Sequence, residues 1–319
     1  YVKQQPIAGM SGFGGGATSL AFRSAGGGDN NFYGDRAVWG GGYANTNELS
    51  YVQIPTTGNS STFGTMVQET RARGPATNAN RGLYMGGRQG TEDGAVEYIT
   101  IGTPGNGTDF GDLSTTASHG YGAGSEGGTD TVRAVAAGGN GVSATDDMEY
   151  FTIDTTGNGT DLANLACGRA GCSACTNGTR MVVSGSEAND CGGSSLQMDY
   201  KNIMDTSNCS DFGDIEYDRG YIGSTQSAAG RGIIGAGEGD SRMDYITIAT
   251  TSNASDFGDS PNMTQYAWGW TANETRGVIG GSNSEGNGIK YITIANTGNT
   301  TDFGDFGTSV SFRTGVSGG

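Results

Sequence analysis

Residues 245–259 read YITIATTSNASDFGD, and close copies of this phrase recur along most of the chain. The tyrosine that opens each copy marks the repeat, with spacings of 47, 52, 50, 45 and 46 residues. A repeat of this length without a helical pattern of apolar residues predicts a β-propeller rather than a helical solenoid. The six tyrosines are Tyr51, Tyr98, Tyr150, Tyr200, Tyr245 and Tyr291.

Each repeat contains four short segments with strand character, labelled a to d in chain order. Segment a is rich in glycine and serine, as in residues 119–127 and 266–272, and segment b opens with an arginine and closes with glycines. Segment c holds the tyrosine, and segment d ends in Phe-Gly-Asp or a drifted form of it. Four strands make one propeller blade, so we predict an all-β protein, a β-propeller of four-stranded antiparallel blades. Six blades are favoured, with seven as the alternative. The segment-b arginines are Arg36, Arg81, Arg133, Arg180, Arg231 and Arg276.

Composition excludes several classes of protein. Glycine accounts for 61 of the 319 residues, far above the roughly 7% of an average protein, and glycine inside a helix costs about 1 kcal/mol relative to alanine. The net charge of −16, from 17 basic and 33 acidic residues, disfavours binding to nucleic acid or to an anionic membrane surface. No apolar run approaches the ~20 residues of a membrane span, so membrane insertion is not expected.

The two ends of the chain carry similar segments. Residues 303–315 resemble residues 13–26, so each end holds a segment d followed by a segment a. Six complete blades leave one such pair in surplus. We predict an N-terminal arm or extra strand over residues 1–16, six repeats over 17–306, and a closing or exchanged strand over 307–319. The surplus strand overlaps at the ring closure or reaches a neighbouring subunit, and a seven-bladed ring completed by partner sequence is the alternative.

The repeat resembles that of Kelch-type propellers. A strand ending in Gly-Gly, a polar loop, a tyrosine strand and an aromatic strand follow in the same order, and phenylalanine stands where a Kelch repeat usually has tryptophan. The amino-acid sequence of the repeat is also similar to Kelch-like repeats in structural and fibre proteins of marine bacteriophages. This resemblance covers about residues 17–305 and implies a virion or extracellular location. The phenylalanines are Phe110, Phe212, Phe257 and Phe303.

Catalytic groups are scarce. Kelch-type oxidases hold copper with tyrosine, histidine and cysteine, whereas His119 is the only histidine of this chain. That activity is therefore not carried over, and we expect no catalytic residue and no enzyme activity.

The repeated acids are the remaining metal candidates, because calcium takes carboxylate and backbone oxygens as ligands. We favour the alternative that these aspartates cap the c–d turn and pair with the segment-b arginine, since a binding site seldom recurs in every repeat. No other cofactor is expected. The calcium candidates are Asp109, Asp112, Asp256, Asp259, Asp302 and Asp305.

Asparagine recurs in the c–d turns, where we expect it to bond its own backbone and to adopt the left-handed conformation. These residues are Asn59, Asn106, Asn158, Asn208, Asn253 and Asn299.

Five cysteines lie between residues 167 and 209. Cys172 and Cys175 have the spacing of half a zinc knuckle, but a second pair is missing. We expect buried free thiols, with a bridge that involves Cys191 or Cys209 as the alternative.

The connections between segments b and c differ between repeats, and variable loops on one face of a rigid ring favour recognition. Trp268 and Trp270 could stack on carbohydrate or could fill the space between blades. The ligand-binding candidates are Arg88, Gln89, Glu92, Asp93, Glu187, Asn189, Asp190, Trp268 and Trp270.

These features favour a non-enzymatic, virion-surface structural protein, such as a phage fibre, spike or appendage, that adheres to a host-surface glycan or protein through its loops. The alternative is a purely architectural decoration or filament subunit, whose partners are its own copies or other virion structural proteins. A Kelch-like enzyme is the third class, and it needs a polar cluster at the channel mouth that the sequence does not reveal. No nucleic-acid partner is expected.

Overall fold

A computed structural model shows the chain as short strands joined by turns. It describes residues 34–43, 46–78, 80–89, 91–92, 94–114, 123–124, 132–139, 144–186, 188–189, 196–226, 230–237, 239–263 and 269–319. Within these ranges there is no helix, and hence no helix capable of crossing a membrane. The prediction of an all-β chain is confirmed.

The strands form six antiparallel four-stranded blades, as the repeats predict. The first two blades contain β1 (Arg36–Gly40), β2 (Glu48–Gln53), β3 (Ser61–Thr65), β4 (Gly74–Thr77), β5 (Arg81–Met85), the hairpin β6 (Arg88–Gln89) and β7 (Thr91–Glu92), β8 (Ala95–Thr100) and β9 (Thr108–Asp112). Blades three and four contain β10 (Ala123–Gly124), β11 (Arg133–Ala137), β12 (Thr145–Thr152), β13 (Thr160–Ala170), β14 (Ser173–Thr176), β15 (Arg180–Ser184), β16 (Ala188–Asn189), β17 (Gln197–Asn202) and β18 (Ser210–Asp214). The remaining strands are β19 (Ser224–Gln226), β20 (Arg231–Ile234), β21 (Arg242–Thr247), β22 (Ser255–Asp259), β23 (Gly269–Ala272), β24 (Arg276–Gly280), β25 (Gly288–Thr293), β26 (Thr301–Asp305) and β27 (Thr314–Gly318).

The C-terminal strand closes the ring. β27 pairs antiparallel with β1, with Arg36 opposite Gly318 and Gly40 opposite Thr314. It is the first strand of the sheet order β27-β1-β2-β3, which is the position of strand a in the other blades. Blade one is therefore built from both ends of the described chain.

Six blades are complete within residues 34–319, so the seven-bladed alternative is wrong. The two ends of this range meet so closely that a Cβ on Gly34 would lie 2.6 Å from the carbonyl oxygen of Gly319. The N-terminal arm and the second copy of the closing strand fall in residues 1–33, outside the described residues.

One arginine in each blade links it to the following blade. The guanidinium that opens strand b stacks on the tyrosine of strand c, 4.1 to 5.1 Å from the ring centroid, and donates to a carbonyl of the next blade. The last bond, from Arg276 to the Ile54 carbonyl of blade one, is 2.8 Å long and completes the circle. The sequence predicts that each of these arginines pairs with an aspartate of the c–d turn. In the structure the arginine contacts the tyrosine and the carbonyl, because strand c lies between strand b and strand d.

Asparagine forms a second ring of contacts between blades. The side-chain oxygen of each c–d asparagine accepts a hydrogen bond from the backbone N–H at the end of strand d in the preceding blade, as Asn299 does from Asp259 at 2.9 Å. The prediction that it bonds its own backbone in the left-handed conformation is wrong, since none of these asparagines has a positive φ. The turn packs so tightly that a Cβ on Gly304 would lie 2.3 Å from the Gly58 oxygen, which explains the repeated Phe-Gly-Asp.

Apolar side chains fill the space between adjacent blades. The cluster between blades five and six includes Ile233, Phe257, Trp270 and Ile292. Trp270 is only 1% exposed, so it cannot act as a stacking surface for carbohydrate. Its inclusion among the ligand-binding candidates is therefore wrong, and the alternative, that it fills the space between blades, is confirmed. Trp268 lies outside the described residues.

Lys201 breaks this apolar pattern. It follows the repeated tyrosine at a position that is aliphatic or aromatic in the other five repeats. The residue is 4% exposed, and its Nζ has no hydrogen-bond partner in the described part of the chain. Burial lowers the pKa of this amine, because the charged form loses its hydration. A folded-state pKa below the unfolded value penalises folding at neutral pH, and the penalty disappears as the pH rises through that window.

We expect Lys201→Ile to stabilise the protein by ~1–3 kcal/mol, the usual penalty of an unpartnered buried polar group. Urea unfolding at pH 7 measures the gain, and the gain should shrink toward pH 10 as the wild-type amine loses its proton. Lys290→Ile is the matched control, since Lys290 contacts Glu285 at 2.7 Å and Asp302 at 3.0 Å and should not be improved by replacement. Equal effects of the two substitutions would contradict this assignment.

Candidate ligand-binding face

The two faces of the ring differ in how their segments repeat. Because the strands alternate in direction, the a–b and c–d turns lie on one face, and the b–c and d–a connections lie on the other. We call the latter the loop face. The c–d turns form the asparagine contacts between blades, whereas the connections of the loop face vary in length and sequence. Variation on a rigid frame makes the loop face the candidate for recognition.

Four of the predicted ligand-binding residues, Arg88, Gln89, Glu92 and Asn189, belong to short strands of this face, in two different blades. In blade two, Arg88 and Gln89 form a hairpin with Glu92 and Thr91. In blade four, Asn189 belongs to β16, which pairs with the end of β13 in blade three. Asp93, Glu187 and Asp190 lie outside the described residues.

A cluster that the sequence does not indicate lies at the junction of blades one, two and six. Tyr43, from the b–c connection of blade one, is 54% exposed. Its ring centroid lies 5.9 Å from that of Phe312, and the Arg71 guanidinium carbon lies 4.7 Å from the Tyr43 centroid and 5.6 Å from that of Phe312. Phe312 has a φ of +61°, a conformation that is unusual for a bulky residue and that occurs at functional sites. We call these three residues the Tyr43 cluster.

A polar cleft of about 170 Å³ borders the cluster. Tyr43 forms part of its wall, and its backbone N–H donates to the Ser311 carbonyl at 2.7 Å. Hydroxyl and amide side chains next to one exposed aromatic ring offer both hydrogen bonds and an apolar stacking surface to a small polar ligand. The other lining residues are Ser282, Asn283, Gly286, Ser309, Val310 and Ser311.

Backbone pairing holds Arg71 in place. Its N–H donates to the Arg88 carbonyl at 3.3 Å, and the Arg88 N–H donates back at 3.0 Å. The Arg71 side chain forms no hydrogen bond or ion pair with any described residue, and its Nε is buried without a partner. Arg88, a sequence-predicted candidate, is thus the neighbour that positions a residue of the cluster.

Buried ion pairs support the connections beneath the loop face. Arg219 lies 2.8 Å from Asp244, and both side chains are fully buried. Asp244 also accepts the backbone N–H of Glu216 at 3.1 Å, which ties the connection between blades four and five to strand c. Burial raises the pKa of Asp244, against the opposing effect of the arginine. Corresponding carboxylates in blades two and four are Glu97, paired with Arg73, and Asp199, paired with Arg169.

The calcium candidates do not gather into a site within the described chain. Asp109, Asp256 and Asp302 are exposed, each at the start of its strand d, and Asp302 contacts Lys290. Asp112, Asp259 and Asp305 lie at the ends of these strands, where their backbone N–H groups bond the asparagines. Among the described residues, no three acidic, cysteine or histidine side chains are placed to hold a metal ion. His119 lies outside the described residues.

The cysteines take two forms. Cys172 and Cys175 are buried thiols outside any disulfide, as predicted, and Cys209 is a partly buried thiol. Burial raises the pKa of Cys209 to about 12, so its thiol is not activated as a nucleophile. Cys167 takes part in a disulfide, and Cys191 lies outside the described residues.

A larger open groove of about 310 Å³ lies on the opposite face. Its aromatic residues, Phe63 and Tyr98, have other roles, since Phe63 is 4% exposed and Tyr98 carries the stacked Arg81. The same tyrosine–phenylalanine–arginine set recurs in other blades, so this groove reflects the repeat and not a specific site.

The fold and this face define the chain as a six-bladed β-propeller with a candidate binding cleft between blades one and six. No family model and no curated protein matched the chain.

Proposed function

We propose that this chain is a non-enzymatic, extracellular binding protein whose loop face adheres to a surface glycan. The observation that carries the proposal is the exposed ring of Tyr43 beside a cleft lined by hydroxyl and amide groups. A tyrosine ring offers the apolar surface on which a sugar ring stacks, and the polar wall can bond the sugar hydroxyls. The resemblance of the repeat sequence to those of phage structural proteins is what supports a location of the adhesin on a virion.

One further observation supports this proposal. The Cys167 disulfide is typical of proteins that work in an oxidising, extracellular environment. One small cleft predicts weak binding by a single chain, so useful attachment requires several copies on one particle, because linked sites act together.

The architectural alternative depends on a surplus terminal strand. The C-terminal copy does not supply it, because β27 is already paired as the innermost strand of blade one. The alternative would therefore need the similar N-terminal segment, residues 13–26, which lies outside the described residues. Strand addition needs an unpaired edge, and the C-terminal strand therefore favours ring closure over exchange with a neighbour.

Glycan binding by the purified full-length protein, measured on an array of bacterial and algal surface polysaccharides, tests the proposal. We expect Tyr43→Ala to weaken binding at least ~10-fold, which corresponds to about 1.4 kcal/mol. Tyr217→Ala is the control, since Tyr217 is also on the loop face, is 37% exposed and carries a stacked arginine, but borders blades four and five. Folded protein that binds no glycan, alone or immobilised at high density, rejects the proposal, and self-association without glycan binding favours the architectural subunit.

A further inference from the structure

We infer that the cleft beside Tyr43 takes an acidic saccharide unit, whose carboxylate or sulfate group pairs with the guanidinium of Arg71. This inference rests on the proposed function and specifies its ligand class. Tyr43 would hold the sugar ring, and Arg71 would select for the charged substituent.

Arg71 differs from the other described arginines of the segments that lead from strand d to strand a. The chain carries 33 acidic and 17 basic residues, so carboxylates are plentiful. Each of those other arginines forms an ion pair with one; the pairs are Arg73–Glu97, Arg169–Asp199, Arg219–Asp244 and Arg313–Glu48. Arg71 takes part in none of the ion pairs of the described chain. An arginine left without a carboxylate in so acidic a protein is available for an anionic ligand.

The position of Arg71 relative to the cleft supplies the second argument. Tyr43 lines the cleft, and the guanidinium lies against the same ring, 4.7 Å from its centroid. A sugar in contact with Tyr43 therefore brings its ring substituents within reach of Arg71. Backbone pairing with Arg88 and stacking on two aromatic rings restrict the side chain before a ligand binds, which reduces the entropy lost on binding.

Long-range electrostatics does not account for acid selectivity here. A net charge of −16 repels an anionic glycan at a distance. Attraction must then come from a short-range, charge-assisted hydrogen bond, which arginine forms in a two-pronged geometry with carboxylate or sulfate oxygens. The serine and asparagine side chains of the cleft are suited to the neutral hydroxyls of the same sugar.

Isothermal titration of the full chain with three galactose-based oligosaccharides of equal length tests the inference. One is neutral, one carries carboxylates as an oligogalacturonate, and one carries sulfate esters. We expect at least one acidic oligosaccharide to bind ~10-fold or more tightly than the neutral one, in line with hydrogen bonds to charged groups. The two acidic arms tell carboxylate from sulfate recognition.

Substitutions assign the preference to Arg71. Arg71→Gln should abolish the difference between acidic and neutral ligands and keep neutral binding, and Arg71→Lys should retain part of it. Tyr43→Ala should weaken all three. Arg242→Gln is the matched control, because Arg242 stacks on Tyr217 but already pairs with Asp240 at 2.5 Å, so its loss should leave the preference intact.

Each result has a distinct meaning. An acid preference that survives Arg71→Gln, or equal binding of neutral and acidic ligands, overturns the inference and leaves glycan adhesion standing. The proposed function itself is rejected if the protein binds none of these ligands and no glycan of the array, although its thermal unfolding transition shows that it is folded. Unchanged melting temperatures of the variants ensure that a loss of binding reflects the cleft and not unfolding.

Discussion

Deletion of residues 307–319 should unfold the whole propeller and not merely remove a tail. The deletion removes β27, including the buried Val316. It also removes two hydrogen bonds of Ser317 to neighbouring inner strands. The Ser317 hydroxyl donates to the Ala272 carbonyl at 2.7 Å, and the Ser317 carbonyl accepts from the Thr77 hydroxyl at 2.7 Å. Blade one would then present an open edge at the centre of the ring. We expect a loss on the order of 5 kcal/mol or more, which is comparable with the entire stability of many domains.

Urea unfolding followed by tryptophan fluorescence measures this loss directly. Trp39 is a suitable probe, because its Nε1 donates to the Gly269 carbonyl at 2.7 Å and its ring meets that of Phe306 edge-on at 5.3 Å, both at the closure. Residues 18–28 resemble the deleted strand in sequence, so a second deletion that removes both segments is needed. A protein that keeps native stability without both segments would refute closure by β27.

Arg219→Ala should destabilise the propeller by ~3–5 kcal/mol, because it leaves the Asp244 carboxylate buried without its counter-charge. Asp244→Ala should have a similar effect. Since burial raises the pKa of Asp244 in spite of the arginine, desolvation outweighs the attraction within the pair. The double substitution Arg219→Met with Asp244→Leu should therefore recover most of the loss.

A double-mutant cycle in urea at pH 7 measures the coupling between the two residues. The comparison pair is Arg242 and Asp240, in which the arginine is 39% exposed, and its removal should cost no more than ~1 kcal/mol. A single substitution at the buried pair that costs as little as one at the exposed pair would mean that solvent already reaches Asp244.

The sequence alone predicts the blade, because a blade is made of contacts between neighbouring segments of one repeat. Alternating residues and turn asparagines predict strands b, c and d, and the count of tyrosines favours six blades over seven. The sequence predicts that Arg276 and Asn299 make contacts within their own repeat, whereas in the structure both join adjacent blades. The sequence of one repeat does not show which groups of the next repeat will lie next to its residues in the folded ring.

The candidate cleft and the Tyr43 cluster are not predicted from the sequence, for a related reason. Tyr43, Arg71 and Phe312 come from three connections that do not belong to the repeated phrase, and no spacing marks them. Phe312 and Tyr43 are far apart in the chain and meet only because β27 returns to blade one. Trp270 shows the converse, since an aromatic residue that looks like a stacking surface in the sequence is buried between blades.

Strand content and the length of the repeat follow from the sequence, since they depend on local alternation and on turn chemistry, and the six repeats favour six blades over seven. The closure of the ring with six blades, the partners of the repeated arginines and asparagines, and the position of the cleft on the loop face follow from the tertiary structure. Those features arise from contacts between segments that are distant in the chain, and their geometry exists only once the six blades surround a common axis.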